Sequence, residues 1–199
     1  TRYPLVTGVQ TCALPIWRSL RSRRLAKRIS IFGGARCGVD SAEYLHGLEL
    51  GKLLGRGGFE VCSGGYYGVM EAVSRGASEV GTKVIGVTMD QFPSEPNSYL
   101  TERIPSKNFY LRLEELIDRS DGFIALRGGL GTVTEIALTI NKLHTKVMPE
   151  KPIILLGECW RPFLDSITTH LAIGEDLDHF QLAESPTEAV GLLMQFFNR

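Results

Sequence analysis

Three glycine-rich turns contain the residues whose types and spacing are best suited to holding an anion. They span residues 33–38, 64–68 and 128–132, and each follows a short aliphatic run. Glycine lets the backbone approach a ligand closely and adopt positive φ. Where a helix follows such a turn, its free N–H groups and its dipole favour a bound phosphate. One such turn can serve packing alone, but three in a small chain favour nucleotide binding.

The candidate phosphate- and nucleotide-binding residues lie in or beside these turns. Arg127 directly precedes the third turn and would add positive charge there. No turn is followed by Gly-Lys-Ser/Thr, and none matches GxGxxG, which disfavours ATP hydrolysis and NAD binding. The full set of candidates is Gly33, Gly34, Gly64, Gly65, Arg127, Gly128, Gly129, Leu130, Gly131 and Thr132.

Alternating strand-like and helix-like segments must position these turns. Aliphatic runs at residues 29–32, 59–62, 83–89, 122–126 and 152–156 predict buried strands. Helical patterns cover residues 40–54, 68–80, 106–119, 131–146, 161–171 and 185–197, and residues 91–105, with three prolines, are predicted to form a surface loop. This alternation predicts a single-domain, three-layer α/β/α sandwich with a parallel, Rossmann-like sheet. Ligands of such sheets bind beyond the carboxyl ends of the strands.

The first 28 residues differ in composition from the rest of the chain. Residues 6–16 read like a translated sequencing adapter, so residues 1 to about 17 are expected to lie outside any domain. Residues 18–28 form a basic segment that could be a targeting signal, a nucleic-acid arm or a solvated tail. Residues 29–199 are expected to form the nucleotide-binding Rossmann-like domain.

The charge balance argues against a nucleic-acid partner. Residues 1–28 hold seven of the 22 basic residues and no acidic ones, so residues 29–199 hold 15 basic against 22 acidic residues, a net charge of −7. Such an acidic body is a poor platform for DNA or RNA phosphates. No aliphatic run is long enough to span a membrane. The four cysteines and four histidines lack ligand or disulfide spacing, which predicts a cytoplasmic protein with no metal and no cofactor.

One segment resembles a known family. Residues 121–135, DGFIALRGGLGTVTE, resemble the signature of the Lonely Guy (LOG) family, PGGxGTxxE after a hydrophobic strand. Residues 32–38 and 63–70 resemble the family's other two glycine turns, and the likeness runs from about residue 29 to residue 171. It implies a phosphoribohydrolase that cleaves the N-glycosidic bond of a nucleoside 5′-monophosphate to free base and ribose 5-phosphate. It also implies a homodimer.

The resemblance identifies two candidate catalytic residues. In the family, an arginine on the helix before the signature works with the glutamate that closes it, and these positions are Arg112 and Glu135 here. Cleavage develops positive charge on the ribose, which a carboxylate can stabilise, while a guanidinium can hold the substrate or the departing base. As an alternative, Thr132 and Glu135 could form a helix capping box. Phe109 and Tyr110 could stack on the base, or could be core residues.

Departures from the family pattern predict a divergent member. Arg127 replaces the signature proline, Tyr110 and Leu113 replace a histidine and a lysine beside the arginine, and Thr134 replaces the first of two glutamates. Two other functions therefore stay open. One is a non-catalytic carrier of a nucleotide or of molybdenum cofactor with the same fold. The other is single-stranded DNA binding as in DNA-processing protein A, which the acidic body opposes.

Overall fold

A computed structural model describes residues 26–173 and 175–199. Residues 1–25, which include the adapter-like stretch and most of the predicted tail, lie outside the described residues. The last two residues of the basic segment belong to the fold. Arg28 is the first residue of the first strand and pairs with Glu60, and the Nζ of Lys27 lies 3.0 Å from a carboxylate oxygen of Asp121.

Strands and helices alternate through the described chain. In order they are β1 (Arg28–Phe32), α1 (Ala42–Arg56), β2 (Glu60–Ser63), α2 (Val69–Glu79), β3 (Val84–Met89), β4 (Glu102–Ser106), α3 (Phe109–Asp118), β5 (Gly122–Ala125), α4 (Leu130–His144), β6 (Ile153–Leu156), α5 (Trp160–His170), a 3-10 helix (Glu175–His179), β7 (Phe180–Ala183) and α6 (Pro186–Phe197). Within this part of the chain, no helix combines the length and apolarity that crossing a bilayer requires.

The seven strands form one parallel sheet in the order β4-β3-β2-β1-β5-β6-β7. The chain builds outward from β1 in one direction and then returns to add β5 on the other side of β1. The turns after β1 and β5 therefore lie next to each other at the carboxyl edge. Such a reversal of strand order opens a crevice, which is where parallel sheets bind ligands.

Helices cover both faces of the sheet, as the sequence predicts. On one face α1, α2 and α6 pack through residues such as Leu50, Val73 and Leu193. On the other face α3, α4 and α5 pack through residues such as Leu116, Ile140 and Trp160. The interior strands are buried on both sides, which explains their continuous aliphatic runs. The predicted three-layer α/β/α architecture is confirmed.

The two edge strands were not predicted. The segment predicted to be a loop, residues 91–105, contains most of β4, and β7 lies between two predicted helices. In β4, burial alternates only partly, and Pro105 cannot donate a ladder hydrogen bond, which an edge strand tolerates. Both strands are short and half-buried, so neither carries the aliphatic signal of the interior strands.

Candidate functional site

A cavity of about 1110 Å³ opens at the carboxyl ends of the strands, beside the turns that follow β1 and β5. It brings together residues of the first turn, the third turn, α3 and α4 that are far apart in the sequence. The predicted site residues that line it are Gly33, Gly34, Phe109, Arg112, Arg127, Gly128, Gly129, Leu130, Gly131, Thr132 and Glu135. Gly64, Gly65 and Tyr110 are not among the lining residues.

The start of α4 forms a cradle of backbone donors, defined here as residues 128–132. Gly129 is the N-cap, and no side chain caps the helix. The N–H groups of the first helical turn have no partner within the helix, and the helix dipole adds partial positive charge. Thr132 is only 3% exposed, yet its hydroxyl forms no hydrogen bond within the described residues and lines the cavity. This cradle is suited to an anion.

The first glycine turn supports the cradle through its backbone. The N–H of Gly34 donates to the carbonyl of Arg127 at 3.1 Å, and the carbonyl of Gly34 accepts from the N–H of Val69 at 2.9 Å. The N–H and the carbonyl of Gly34 therefore both have protein partners, so Gly34 lines the cavity without offering a free N–H to a ligand. At Gly128 a Cβ would overlap the hydroxyl of Thr132, so only glycine allows that hydroxyl its place.

Gly64 and Gly65, predicted to bind phosphate, are not among the residues that line the cavity. The N–H of Gly65 donates to Ser63 Oγ at 3.1 Å, and its carbonyl accepts from the N–H of Asn97 at 2.9 Å, so neither group is available to a ligand. Gly65 also has a φ of +78°, which favours glycine. At Gly64 a Cβ would overlap the guanidinium of Arg112. Gly64 therefore leaves room for the Arg112 guanidinium, and Gly65 allows the chain to turn there.

Arg112 and Glu135 lie side by side in the cavity wall. Arg112, on α3, is 6% exposed; its Nε donates to the carbonyl of Val87 at 2.9 Å, and its guanidinium carbon lies 5.8 Å from the ring centre of Phe92. Its Nη1 lies 3.8 Å from Glu135 Oε1. That separation is longer than a charge-assisted hydrogen bond, so the two groups attract each other without being locked together.

The capping-box interpretation of Glu135 is wrong. The helix begins at Leu130 with Gly129 as its N-cap, so Thr132 is not a cap and Glu135 lies in the second turn. Glu135 as a whole residue is 9% exposed, and it lines the cavity. Burial raises its pKa from the ordinary 4.5 to about 7, against the opposing charge of Arg112. The group can therefore gain or lose a proton near neutral pH.

Several aromatic side chains line the cavity, but not all of those predicted to do so. Phe109 lines the cavity, whereas Tyr110 is 82% exposed and does not, so its predicted stacking role is not supported. Phe92 was not predicted, because its segment carries only loop signals, yet it lies over Arg112 and against Tyr66. The hydroxyl of Tyr66 donates to the carbonyl of Met89 and accepts from its N–H, which fixes the ring.

A second group that sequence reasoning missed is Glu43, on the first turn of α1. Its carboxylate lies 3.2 Å from Nη1 of Arg127, and both side chains line the cavity. The position of Glu43 after the N-cap Ser41 is typical of a helix start and predicts nothing more. Its pairing with a residue 84 positions away could be seen only in the folded chain.

Comparisons with known proteins found two enzymes similar in sequence and a carrier protein similar in structure. Over 161 residues the chain is 29% identical to the cytokinin riboside 5′-monophosphate phosphoribohydrolase of Rhodococcoides fascians, covering 78% of this chain and 80% of that enzyme. It is 29% identical over 131 residues to the pyrimidine/purine nucleotide 5′-monophosphate nucleosidase of Escherichia coli, covering 60% of this chain but only 29% of that enzyme. The structure of the molybdenum cofactor carrier protein from Chlamydomonas reinhardtii superposes with a TM-score of 0.69 at 26% identity, over 87% of this chain and 99% of that one.

The family match covers most of the chain. The SLOG cluster4 family matches residues 26–190, a range that includes every residue lining the cavity. The LOG-like resemblance of the signature segment is confirmed by relatives at modest identity. The chain therefore belongs to the SLOG cluster4 family, as a divergent LOG-like member.

Proposed function

We propose that this protein hydrolyses the N-glycosidic bond of a nucleoside 5′-monophosphate, giving a free base and ribose 5-phosphate. The observation that carries the proposal is the meeting of Arg112 and Glu135, 3.8 Å apart, in the wall of the cavity that also contains the α4 cradle. Relatives at modest identity are named for this chemistry. The roles assigned below to single residues are part of the proposal.

The cradle would hold the 5′-phosphate. The free N–H groups of Leu130, Gly131 and Thr132 and the Thr132 hydroxyl supply donors, and Arg127 supplies a cation at the rim. Thr132 and Glu135 are three residues apart on one face of α4, which separates their Cβ atoms by about 5–6 Å. A ribose held by its 5′-phosphate can span such a distance and present its anomeric carbon to Glu135.

Glu135 and Arg112 would act on the glycosidic bond. When that bond breaks, its electron pair leaves with the base and positive charge develops on the ribose, which the ionised Glu135 stabilises. Water then supplies a hydroxyl to the anomeric carbon, and its proton passes to the departing base nitrogen, with the carboxylate as relay. Arg112 would position the base side of the substrate, with Phe92 and Phe109 available for stacking.

A non-catalytic carrier is the second candidate, and one observation favours it. At about 1110 Å³ the cavity slightly exceeds the usual range of ligand sites, about 300–1000 Å³. It has room for a ligand larger than a nucleoside monophosphate. The carrier from Chlamydomonas reinhardtii shares the fold at a TM-score of 0.69.

We also propose that the protein forms a homodimer through α4. An apolar groove of about 290 Å³ lies between α4, α5 and the segment that follows, lined by side chains such as Ile136, Ile140, Phe163 and Ile167. Burying such a surface against a second copy would be favourable. Sedimentation at several concentrations tests this, and a monomer throughout the micromolar range would contradict it.

The test of the enzymatic proposal is product release. The protein is incubated with AMP, GMP, CMP and UMP, and with adenosine as a substrate without phosphate; base and ribose 5-phosphate are measured separately. We expect equal amounts of both products from at least one monophosphate and none from adenosine. Glu135→Gln should lower the rate at least about 100-fold. Glu102→Gln, a carboxylate on the edge strand β4 and paired with Lys83, is the matched control and should keep full activity.

The two candidate functions give different outcomes. Tight binding of a nucleotide with no release of base would support the carrier and reject the hydrolase. Full activity in Glu135→Gln would show that the carboxylate takes no part in the reaction.

A further inference from the structure

The ion pair between Arg127 and Glu43 stands at the rim of the cradle. Arg127 directly precedes the cradle, its side chain is 71% exposed, and Glu43 Oε1 lies 3.2 Å from its Nη1. Both side chains line the cavity. Within the described residues, the Arg127 side chain forms no other ion pair, so the cation closest in sequence to the cradle is neutralised by a neighbouring carboxylate.

Of the two partners, Glu43 is the more buried one, with its side chain 31% exposed against 71% for Arg127. It is the second residue of α1, and its pKa lies below the ordinary 4.5, chiefly because its own backbone stabilises the carboxylate; burial opposes this shift, and the hydrogen bond and charge of Arg127 lower the pKa further. It is therefore ionised at neutral pH. Arg127 is long and exposed, and only its backbone is tied down, by the N–H of Gly34. An exposed ion pair of this kind is weak and can exchange partners.

We propose that the Arg127–Glu43 pair sets the charge that a ligand needs to occupy the cradle, so that the site selects a terminal phosphomonoester. This inference rests on the cradle being a phosphate site, as in the proposed function. A phosphomonoester dianion offers the guanidinium two oxygens and a double charge, and can displace the single carboxylate of Glu43. A phosphodiester has one charge, no greater than that of Glu43, and would leave the pair closed.

An intact Arg127–Glu43 pair also makes binding of a phosphodiester less favourable. With Arg127 engaged, the ligand meets the helix dipole and the cradle amides but gains no full positive charge from the rim. The Glu43 carboxylate stays near the phosphate and repels it. The dianion escapes this penalty because it recruits Arg127. The pair therefore separates nucleoside monophosphates from their diesters.

Binding measurements on matched ligands test the inference. Affinities for AMP, its 5′-phosphate methyl ester and adenosine are measured by calorimetry on the full chain and on Glu43→Gln, Arg127→Ala and the double variant. We expect the unaltered protein to prefer AMP to the ester. Glu43→Gln should tighten AMP about two- to five-fold and the ester by more, so that the preference shrinks. Arg127→Ala should weaken AMP about ten-fold and the ester less.

Adenosine and a control variant show whether any change in affinity depends on the phosphate and on this ion pair. Adenosine should bind equally to all variants, and Glu102→Gln, which breaks the remote exposed pair with Lys83, should change nothing. Unchanged affinities in both Glu43→Gln and Arg127→Ala would overturn the inference and reduce the pair to a surface contact. Binding of AMP with no hydrolysis of any of the four monophosphates rejects the hydrolase alone, because this experiment needs only binding. Failure of AMP, GMP, CMP and UMP alike to bind overturns both proposals.

Discussion

Glu135→Gln removes a titratable group from the buried cavity wall and keeps the size of the side chain. Burial raises the carboxyl pKa from 4.5 to about 7 in the folded protein, while Arg112 opposes the rise. Because the folded state binds this proton more tightly than the unfolded state, the carboxyl stabilises the fold at low pH. That contribution is lost as the pH rises through about 7. A pKa change of this size corresponds to about 3 kcal/mol between the two protonation states.

Urea denaturation of both proteins from pH 4 to 8.5 measures this contribution. Relative to the variant, the unaltered protein should lose up to about 3 kcal/mol of unfolding free energy between about pH 4.5 and 7.5, and little above that range. In the variant Arg112 lacks an anionic partner at every pH, which gives a constant offset and no slope. A difference that does not vary with pH would refute the reasoning, because it would mean that the carboxyl titrates as an exposed glutamate does.

Four further predictions concern the cavity. The kcat/KM for AMP should rise with pH through about 7 and then level off, since the ionised form of Glu135 is the active one; a falling profile would contradict this. Thr132→Val should weaken AMP binding about ten-fold in calorimetry with little change in urea denaturation, because the lost hydroxyl has no protein partner. Gly128→Ala should weaken AMP binding at least as much as Thr132→Val, because its Cβ would overlap the Thr132 side chain and crowd the backbone of Gly34, whereas Gly191→Ala, on α6 with open space around it, should bind normally. Tyr110→Ala should leave both affinity and rate unchanged, because the side chain is exposed outside the cavity.

Much of the fold could be predicted because the interior strands are buried on both faces. All six residues of β3 and all four of β5 and of β6 are buried, so those segments are uninterrupted runs of apolar or small residues. The edge strands β4 and β7 meet solvent along part of their length and accept polar residues or proline, so they resemble loops. The helices were easier to predict because each carries a 3.6-residue apolar pattern of ten residues or more.

The site was only partly predictable, because glycine has more than one use. The third turn precedes α4 directly, so its role as a cradle follows from local sequence. At Gly64 and Gly65 the backbone faces Arg112 and Asn97 instead of the cavity, and only tertiary packing decides that. The capping-box interpretation failed because the N-cap of α4 is Gly129, three residues before Thr132.

The most direct test of the central claim is a crystal structure of Glu135→Gln bound to AMP. The account predicts the phosphate against the N–H groups of Leu130, Gly131 and Thr132, with the anomeric carbon of the ribose facing residue 135. The base should lie on the side of Arg112 and Phe109. A nucleotide bound with its phosphate away from the start of α4, or with its sugar turned away from residue 135, would contradict the account.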